Sequence, residues 1–233
     1  WRANGGTTSS NDNGSITSTV QVDPSGHFSI VTYTGESATR TVGHGLSAAP
    51  DYIIVKSREN TRNWAVYYGD NTDAMQLNNG NATDDGNYWA DTSPTSTVFT
   101  VGDSNETGKS EDYVAYCFAN CEGYIQSGSY TGNANADGTF VYLGFRPAWL
   151  MVKYTGSGES WVIVDNKRNG TNPTNKNLRA NNEYAEASGS TYDVDLLSNG
   201  FKPRTTWEGW NGSGYTITYL AFAESPFKYA TAR

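Results

Sequence analysis

The sequence predicts an all-β chain made of two tandem antiparallel β-sandwich modules, or jelly rolls, related by internal duplication. Three observations carry that expectation. First, the 233 residues hold 25 Gly, 16 Tyr and 7 Trp but only 17% charged residues; strands favour aromatic and β-branched side chains, and tight turns favour Gly and Asn. Second, short apolar runs alternate with Gly/Asn/Ser/Thr-rich intervals, a rhythm of strands and turns rather than of helices. Third, the chain resembles itself.

Val31-Thr32-Tyr33-Thr34-Gly35 matches Gly128-Ser129-Tyr130-Thr131-Gly132, Pro50 matches Pro147, Lys56 matches Lys153 and Trp64 matches Trp161, all at an offset of 97. The offset grows to 104 where Tyr116-Cys117-Phe118-Ala119 faces Leu220-Ala221-Phe222-Ala223, which a short insertion in the second copy explains. Anchors held at one offset mark a repeated structural unit. The expected division is a linker and leading strand over 1–27, a first sandwich over 28–124 and a second over 125–233.

Residues 1–14 have no pattern of their own and read as linker. Ile16, Ser18, Val20 and Val22 alternate with Thr17, Thr19 and Gln21, so a strand precedes the first copy. Asp51 to Lys56 and Trp149 to Lys153 are continuous apolar runs closed by Lys, the pattern of central strands buried on both faces. The Trp64 and Trp161 segments follow as antiparallel partners, with both Trp side chains in the core. Val98–Val101 and Tyr113–Phe118 complete copy one. In copy two, Leu196-Leu197 leads into an Asn199-Gly200 turn, and Ile217–Ala223 closes the sheet. Pro226 stops the last strand, and Phe227 and Tyr229 are expected to fold back. Helix should be minor: Asn181–Ala187 has helix-forming residues but lacks apolar periodicity.

Composition also excludes function classes. Net charge is −8 and the 16 Lys and Arg are dispersed, whereas a phosphate backbone demands a basic cluster, so nucleic-acid binding is not expected. No apolar run reaches the length that spans a bilayer. Cys117 and Cys121 read as two free, partly buried thiols, although a turn at Ala119-Asn120 could pair them. His27 and His44 stand in no metal-binding or triad arrangement; His44 reads as a turn residue whose glycine neighbours take positive φ. Neither a metal nor a cofactor is expected, and no enzymatic activity. Of the acidic pairs, Asp84-Asp85, Glu111-Asp112 and Asp193/Asp195 could serve glycoside hydrolysis if they faced one groove, but solvated loop acids are the preferred reading. Trp1 is not a translation start, so the chain reads as part of something longer.

Four aromatics stand apart because they lie in Gly- and Asn-rich loops and have no match in the other copy: Tyr88, Trp89, Trp207 and Trp210. Exposed, they would stack on a sugar ring or anchor a protein partner; otherwise they cover a module's own core or a neighbouring subunit.

The segments VGHGL, AYCFANCEGY, FVYLGFRPAWLMVK, LLSNGFKPRT and AFAESPFKYATAR, in that order, resemble a repeat of tail-fibre-like and other virion structural proteins of phages, marine and cyanobacterial ones especially. The likeness covers essentially the whole chain, apart from the Cys117/Cys121 pair, where the repeat carries other residues. It implies a virion location on the particle surface, a lectin-like sandwich, partners among other virion subunits, and a homo-oligomer that is a trimer by analogy with fibres. It also implies a non-enzymatic fibre or tail-tip module that binds host-surface glycan. A purely structural spacer, decoration or head-fibre module is the alternative, and a glycan depolymerase a further one.

Overall fold

The computed structural model describes residues 7–156 and 158–225. In chain order the strands are β1 (Ser9–Asn11), β2 (Ser18–Val22), β3 (Phe28–Thr34), β4 (Arg40–Gly43), β5 (Tyr52–Ser57), β6 (Ala65–Tyr67), β7 (Met75–Gln76), β8 (Val98–Val101) and β9 (Asp112–Phe118). They continue with β10 (Ile125–Thr131), β11 (Val141–Tyr142), β12 (Pro147–Tyr154), β13 (Val162–Asp165), β14 (Leu178–Arg179), β15 (Val194–Leu197), β16 (Gly200–Pro203) and β17 (Thr216–Ala223). One helical turn, α1 (Glu208–Asn211), and a 3-10 turn at Ser190–Tyr192 complete the described chain. The protein is all-β, as the composition predicts, and Asn181–Ala187 is irregular.

The chain forms two compact units: Trp1–Leu77 with Thr83–Asn120, and Asn78–Ala82 with Cys121–Arg233. Unit one pairs a sheet ordered β1-β2-β3-β9-β5-β6-β7 with the β4-β8 ribbon. Its core lies between them, built from Val31, Tyr33, Ile53, Val55, Ala115 and Cys117 on one side and Val42, Phe99 and Val101 on the other. Unit two pairs a sheet ordered β10-β17-β12-β13-β14 with a three-stranded sheet, β11-β16-β15. Tyr130, Leu150, Val152, Val162, Val164 and Tyr219 there meet Val141, Val194, Leu196 and Phe201.

The five strands β3-β9-β5-β6-β7 of the first larger sheet match the order of the second, β10-β17-β12-β13-β14, and their central pairs share a register. Phe28 pairs with Phe118 and Tyr33 with Tyr113; 97 and 104 positions further on, Ile125 pairs with Phe222 and Tyr130 with Ile217. Tyr52 likewise faces Phe118 as Trp149 faces Phe222. The repeated sequence anchors occupy equivalent places for identifiable reasons. In each Tyr-Thr-Gly triplet the Tyr is buried and donates its hydroxyl to a loop carbonyl: Tyr33 to Thr107 at 2.6 Å and Tyr130 to Trp210 at 2.7 Å. The following Gly lets that same loop approach, since a Cβ on Gly35 would overlap the Lys109 carbonyl and one on Gly132 the Gly212 carbonyl. The two lysines, each next to last in its strand, close the next hairpin. Lys56 Nζ donates to the Asn60 carbonyl at 3.0 Å, and Lys153 Nζ to the carbonyls of Gly156, at 2.9 Å, and Tyr154. Lys153 is buried, and desolvation lowers its pKa to about 8.

Several sequence expectations change. Residues 9–11, expected as linker, form β1 at the edge of the large sheet, paired with β2 through Ser9–Val20. The expected Asn199-Gly200 turn lies one residue earlier: Leu197 pairs with Gly200, so Ser198 and Asn199 form the turn and Gly200 begins β16. Only glycine fits there, because a Cβ would overlap the Val141 carbonyl of β11. Around His44, Gly45 takes positive φ, but Gly43 does not; a Cβ on Gly43 would overlap the Asn11 side chain. His44 is buried and neutral: its Nε2 donates to the Thr95 carbonyl at 3.1 Å while Nδ1 accepts the Leu46 N–H at 3.0 Å. Cys117 is buried and Cys121 half-buried, and no disulfide joins them. Trp161 is buried, whereas Trp64 is only half-buried. Trp1, Pro226, Phe227 and Tyr229 lie outside the described residues.

Candidate functional site

Three of the four nominated aromatics have no face to offer a ligand. Trp89 is 2% exposed, in the core of unit one and edge-on to Tyr67 at 5.6 Å. Its neighbour Tyr88 is buried too; its hydroxyl donates to Asp84 at 2.6 Å and accepts from Gln76 at 3.1 Å. Trp210 is 0% exposed in the core of unit two. Its place in α1 presents its carbonyl to Tyr130. The indole N–H groups of Trp89 and Trp210 find no acceptor among the described residues, so these rings serve as apolar filling. Trp207 is half-buried and stands perpendicular to Tyr192, ring centres 5.0 Å apart. The expectation of exposed stacking rings at Trp89, Tyr88 and Trp210 is therefore corrected. A polar loop carries its largest apolar side chain inward because burying an indole removes on the order of 200 Å² from water.

The acidic pairs do not converge either. Glu111 is buried, held by Arg62 at 2.6 Å and Ser57 at 2.8 Å. Those bonds, from Arg62 first, hold its carboxyl below the usual range. Asp112 accepts instead from Thr34 at 2.6 Å. Asp84 is bound by Tyr88, Asp193 by Asn175 and Asp195 by Arg204. These five acids each have a structural partner, and Asp85 is exposed.

The large exposed apolar side chains among the described residues are Phe140, Tyr142 and Tyr184. Phe140 and Tyr142 belong together. Val141 between them points into the core and pairs with Phe201, while Tyr142 pairs with Gly200. Directly opposed residues of an antiparallel pair share a face. The outer face of β11-β16-β15 therefore carries Tyr142, Gly200 and Leu197 in one row. Continuing the same register puts Phe140, Lys202 and Asp195 in the next. Tyr142 is 67% and Phe140 43% exposed. Gly200 contributes no side chain, so the Phe140 ring edge closes over its backbone.

Beside the rings lies an ion network. Asp137 Oδ1 accepts from Lys202 at 2.6 Å and from Arg204 at 2.7 Å, and Arg204 Nε reaches Asp195 at 2.6 Å. The Asp137 side chain remains 70% exposed. Its hydrogen bond from Lys202 and the two cations hold its carboxyl below the ordinary range, so it is an ionised acceptor at neutral pH. A surface that sets exposed rings beside fixed donors and acceptors can hold an amphipathic ligand, apolar on one face and hydroxylated at its rim. Sequence reasoning passed over Phe140 and Tyr142 because FVYLGF reads as one apolar run. Their alternation about a buried Val141 was the available signal.

Among the described residues no group of three or more His, Cys, Asp and Glu could hold a metal ion, and no helix is long and apolar enough to cross a membrane. The fold and this face define the molecule as a two-unit β-sandwich protein with an aromatic sheet face on its second unit. The chain belongs to the family described as a domain of unknown function, DUF7483, whose model matches residues 1–226. Neither a curated protein nor a solved structure matches the chain.

Proposed function

We propose that the chain is a non-enzymatic module of a bacteriophage virion, part of a fibre or tail tip, that holds a host-surface glycan on the outer face of β11-β16-β15. The observation that carries the binding is the pairing of exposed Phe140 and Tyr142 with the Asp137, Lys202, Arg204 and Asp195 network. A pyranose ring has an apolar face that lies on an aromatic ring and equatorial hydroxyls that reach charged side chains at its edge. The virion setting is supported by the resemblance of the sequence segments quoted above. The shared strand order and register of the two larger sheets support an origin of the units by duplication. Association with other virion subunits, as a trimer, belongs to the same reading.

The burial of Trp89 and Trp210 favours a second reading, a structural spacer or decoration module, in which Phe140 and Tyr142 contact another subunit. Glycan-array and host-cell binding by the purified chain and its Tyr142→Ala variant separates the two. Binding weakened at least about tenfold by the substitution, the loss of roughly 1–2 kcal/mol of ring stacking, is the expected result. No binding by the folded wild-type chain, together with a change of oligomeric state in the variant, would establish the structural reading.

A further inference from the structure

The seven-stranded sheet of unit one carries a depression of about 250 Å³ on its outer face. It is lined by Thr17 just before β2, Thr19 on β2, Thr32 and Thr34 on β3, Asp112 at the start of β9 and Arg58 just beyond β5. Their convergence follows from register. Thr19 pairs with Thr32 and Thr34 with Asp112, while the Arg58 N–H donates to the Asp112 carbonyl at 2.7 Å and extends that row. Alternation turns these residues outward because their neighbours Ser18, Val20, Val31 and Tyr33 are buried. Tyr33 also lines it, with its ring in the core and its hydroxyl committed to Thr107 inside. At the charged end, Asp112 Oδ1 accepts from Thr34. The Arg58 guanidinium makes neither a hydrogen bond nor an ion pair with any described residue. The other described arginines, Arg40, Arg62, Arg146, Arg168, Arg179 and Arg204, are all engaged.

We infer that this depression is a second saccharide site, taking the hydroxyls of a neutral pyranose. The inference rests on the glycan-binding reading of the chain but uses different residues on the other unit. Threonine hydroxyls both donate and accept, a guanidinium only donates and an ionised carboxylate only accepts. A polyol satisfies all three kinds of group at once. A carboxylated or sulfated sugar would meet Arg58 but also Asp112, on a chain of net charge −8. The volume equals that of about eight waters at ~30 Å³ each, which suits one ring rather than a chain of them. With no aromatic side chain in the lining, selectivity comes from hydroxyl geometry. Single-site affinity is then weak, on the order of millimolar, and is useful through linkage to the first site.

Amide NMR of the ¹⁵N-labelled full chain tests this, with methyl glucoside, methyl galactoside, methyl mannoside and glucuronate as probes. At least one neutral methyl hexoside should shift the Thr19, Thr32 and Arg58 amides saturably, and equally so in Tyr142→Ala. Arg58→Ala and the isosteric pair Thr19→Val/Thr32→Val, at positions turned away from the core, should leave the rest of the spectrum unchanged and weaken the response at least fivefold, and glucuronate should bind at least fivefold more weakly. The inference is overturned if no neutral hexoside moves these amides, or if the variants respond as the wild type does. Shifts confined to the amides around Phe140 and Tyr142 would overturn this site alone. Shifts confined to the depression would leave it standing and remove the aromatic face from the proposed function.

Discussion

Tyr33 and Tyr130 each spend a buried hydroxyl on one loop carbonyl, Thr107 and Trp210 respectively. Removing a buried donor leaves its acceptor unsatisfied, which costs about 1–3 kcal/mol. Tyr33→Phe and Tyr130→Phe should therefore each lower the unfolding free energy by that amount, read as a reduced urea midpoint at unchanged slope. Changes within about 0.3 kcal/mol would show that the loops hold without the latch. His44 makes a second residue-scale case. Burial lowers its pKa below the ordinary value, and its Nδ1 is already used as an acceptor. The unfolded chain takes up the proton near pH 6.5 and the folded chain only at lower pH, so the His44 contribution is present above pH 6.5 and is lost as pH falls through the folded pKa. A His44→Gln variant should show a flatter loss of stability between pH 6.5 and 5 than the wild type.

At the level of strands, Gly200 ties fold to site. Its hydrogen sits where any side chain would collide with the Val141 carbonyl, so Gly200→Ala should push β11 off β16, with the overpacking costing about 1–3 kcal/mol. Because β11 carries the Tyr142 ring, the variant should lose glycan binding while its far-UV circular dichroism stays all-β; unchanged binding would show that the aromatic face is not the contact. Most of the elements were legible beforehand, for physical reasons that vary by segment. Asp51–Lys56, Trp149–Lys153 and Ile217–Ala223 are apolar on both faces and could be little else than central strands. The alternation over Ile16–Val22 gave β2 its inward side. What sequence could not show was pairing partners. Ser9–Asn11 is a strand only because β2 offers it an edge, and Gly200 reads as a turn glycine until the neighbouring strand that needs its missing Cβ is known. The same blindness left the loop tryptophans open between exposure and burial. A Trp in an Asn-rich loop looks solvated, and only the three-dimensional course of that loop shows Trp89 and Trp210 plugging the cores.

For the whole molecule, two buried groups, Lys153 and Cys117, pull the pH dependence of stability in opposite directions on the alkaline side. Lys153, with its folded pKa near 8, binds its proton less readily than the unfolded chain does, so unfolding free energy rises with pH from about 8 toward the unfolded lysine value. Cys117 opposes it: burial pushes its pKa up to about 12, and the unfolded thiol ionises from near 9, so stability falls above that. The net expectation is a gain of about 1 kcal/mol between pH 8 and 9 followed by a plateau or fall. Chemical denaturation at each pH, with Lys153→Met as control, checks it: the control should lack the rise. The two proposed contact faces stand on strands whose alternate side chains make the cores. Thr32 looks outward between Val31 and Tyr33, and Tyr142 between Val141 and Leu143. Stability and recognition are thus written on interleaved positions of the same strands. On the proposed reading, point changes can redraw what either face binds while the buried set stays intact, so such a protein can change its ligand without passing through an unfolded ancestor.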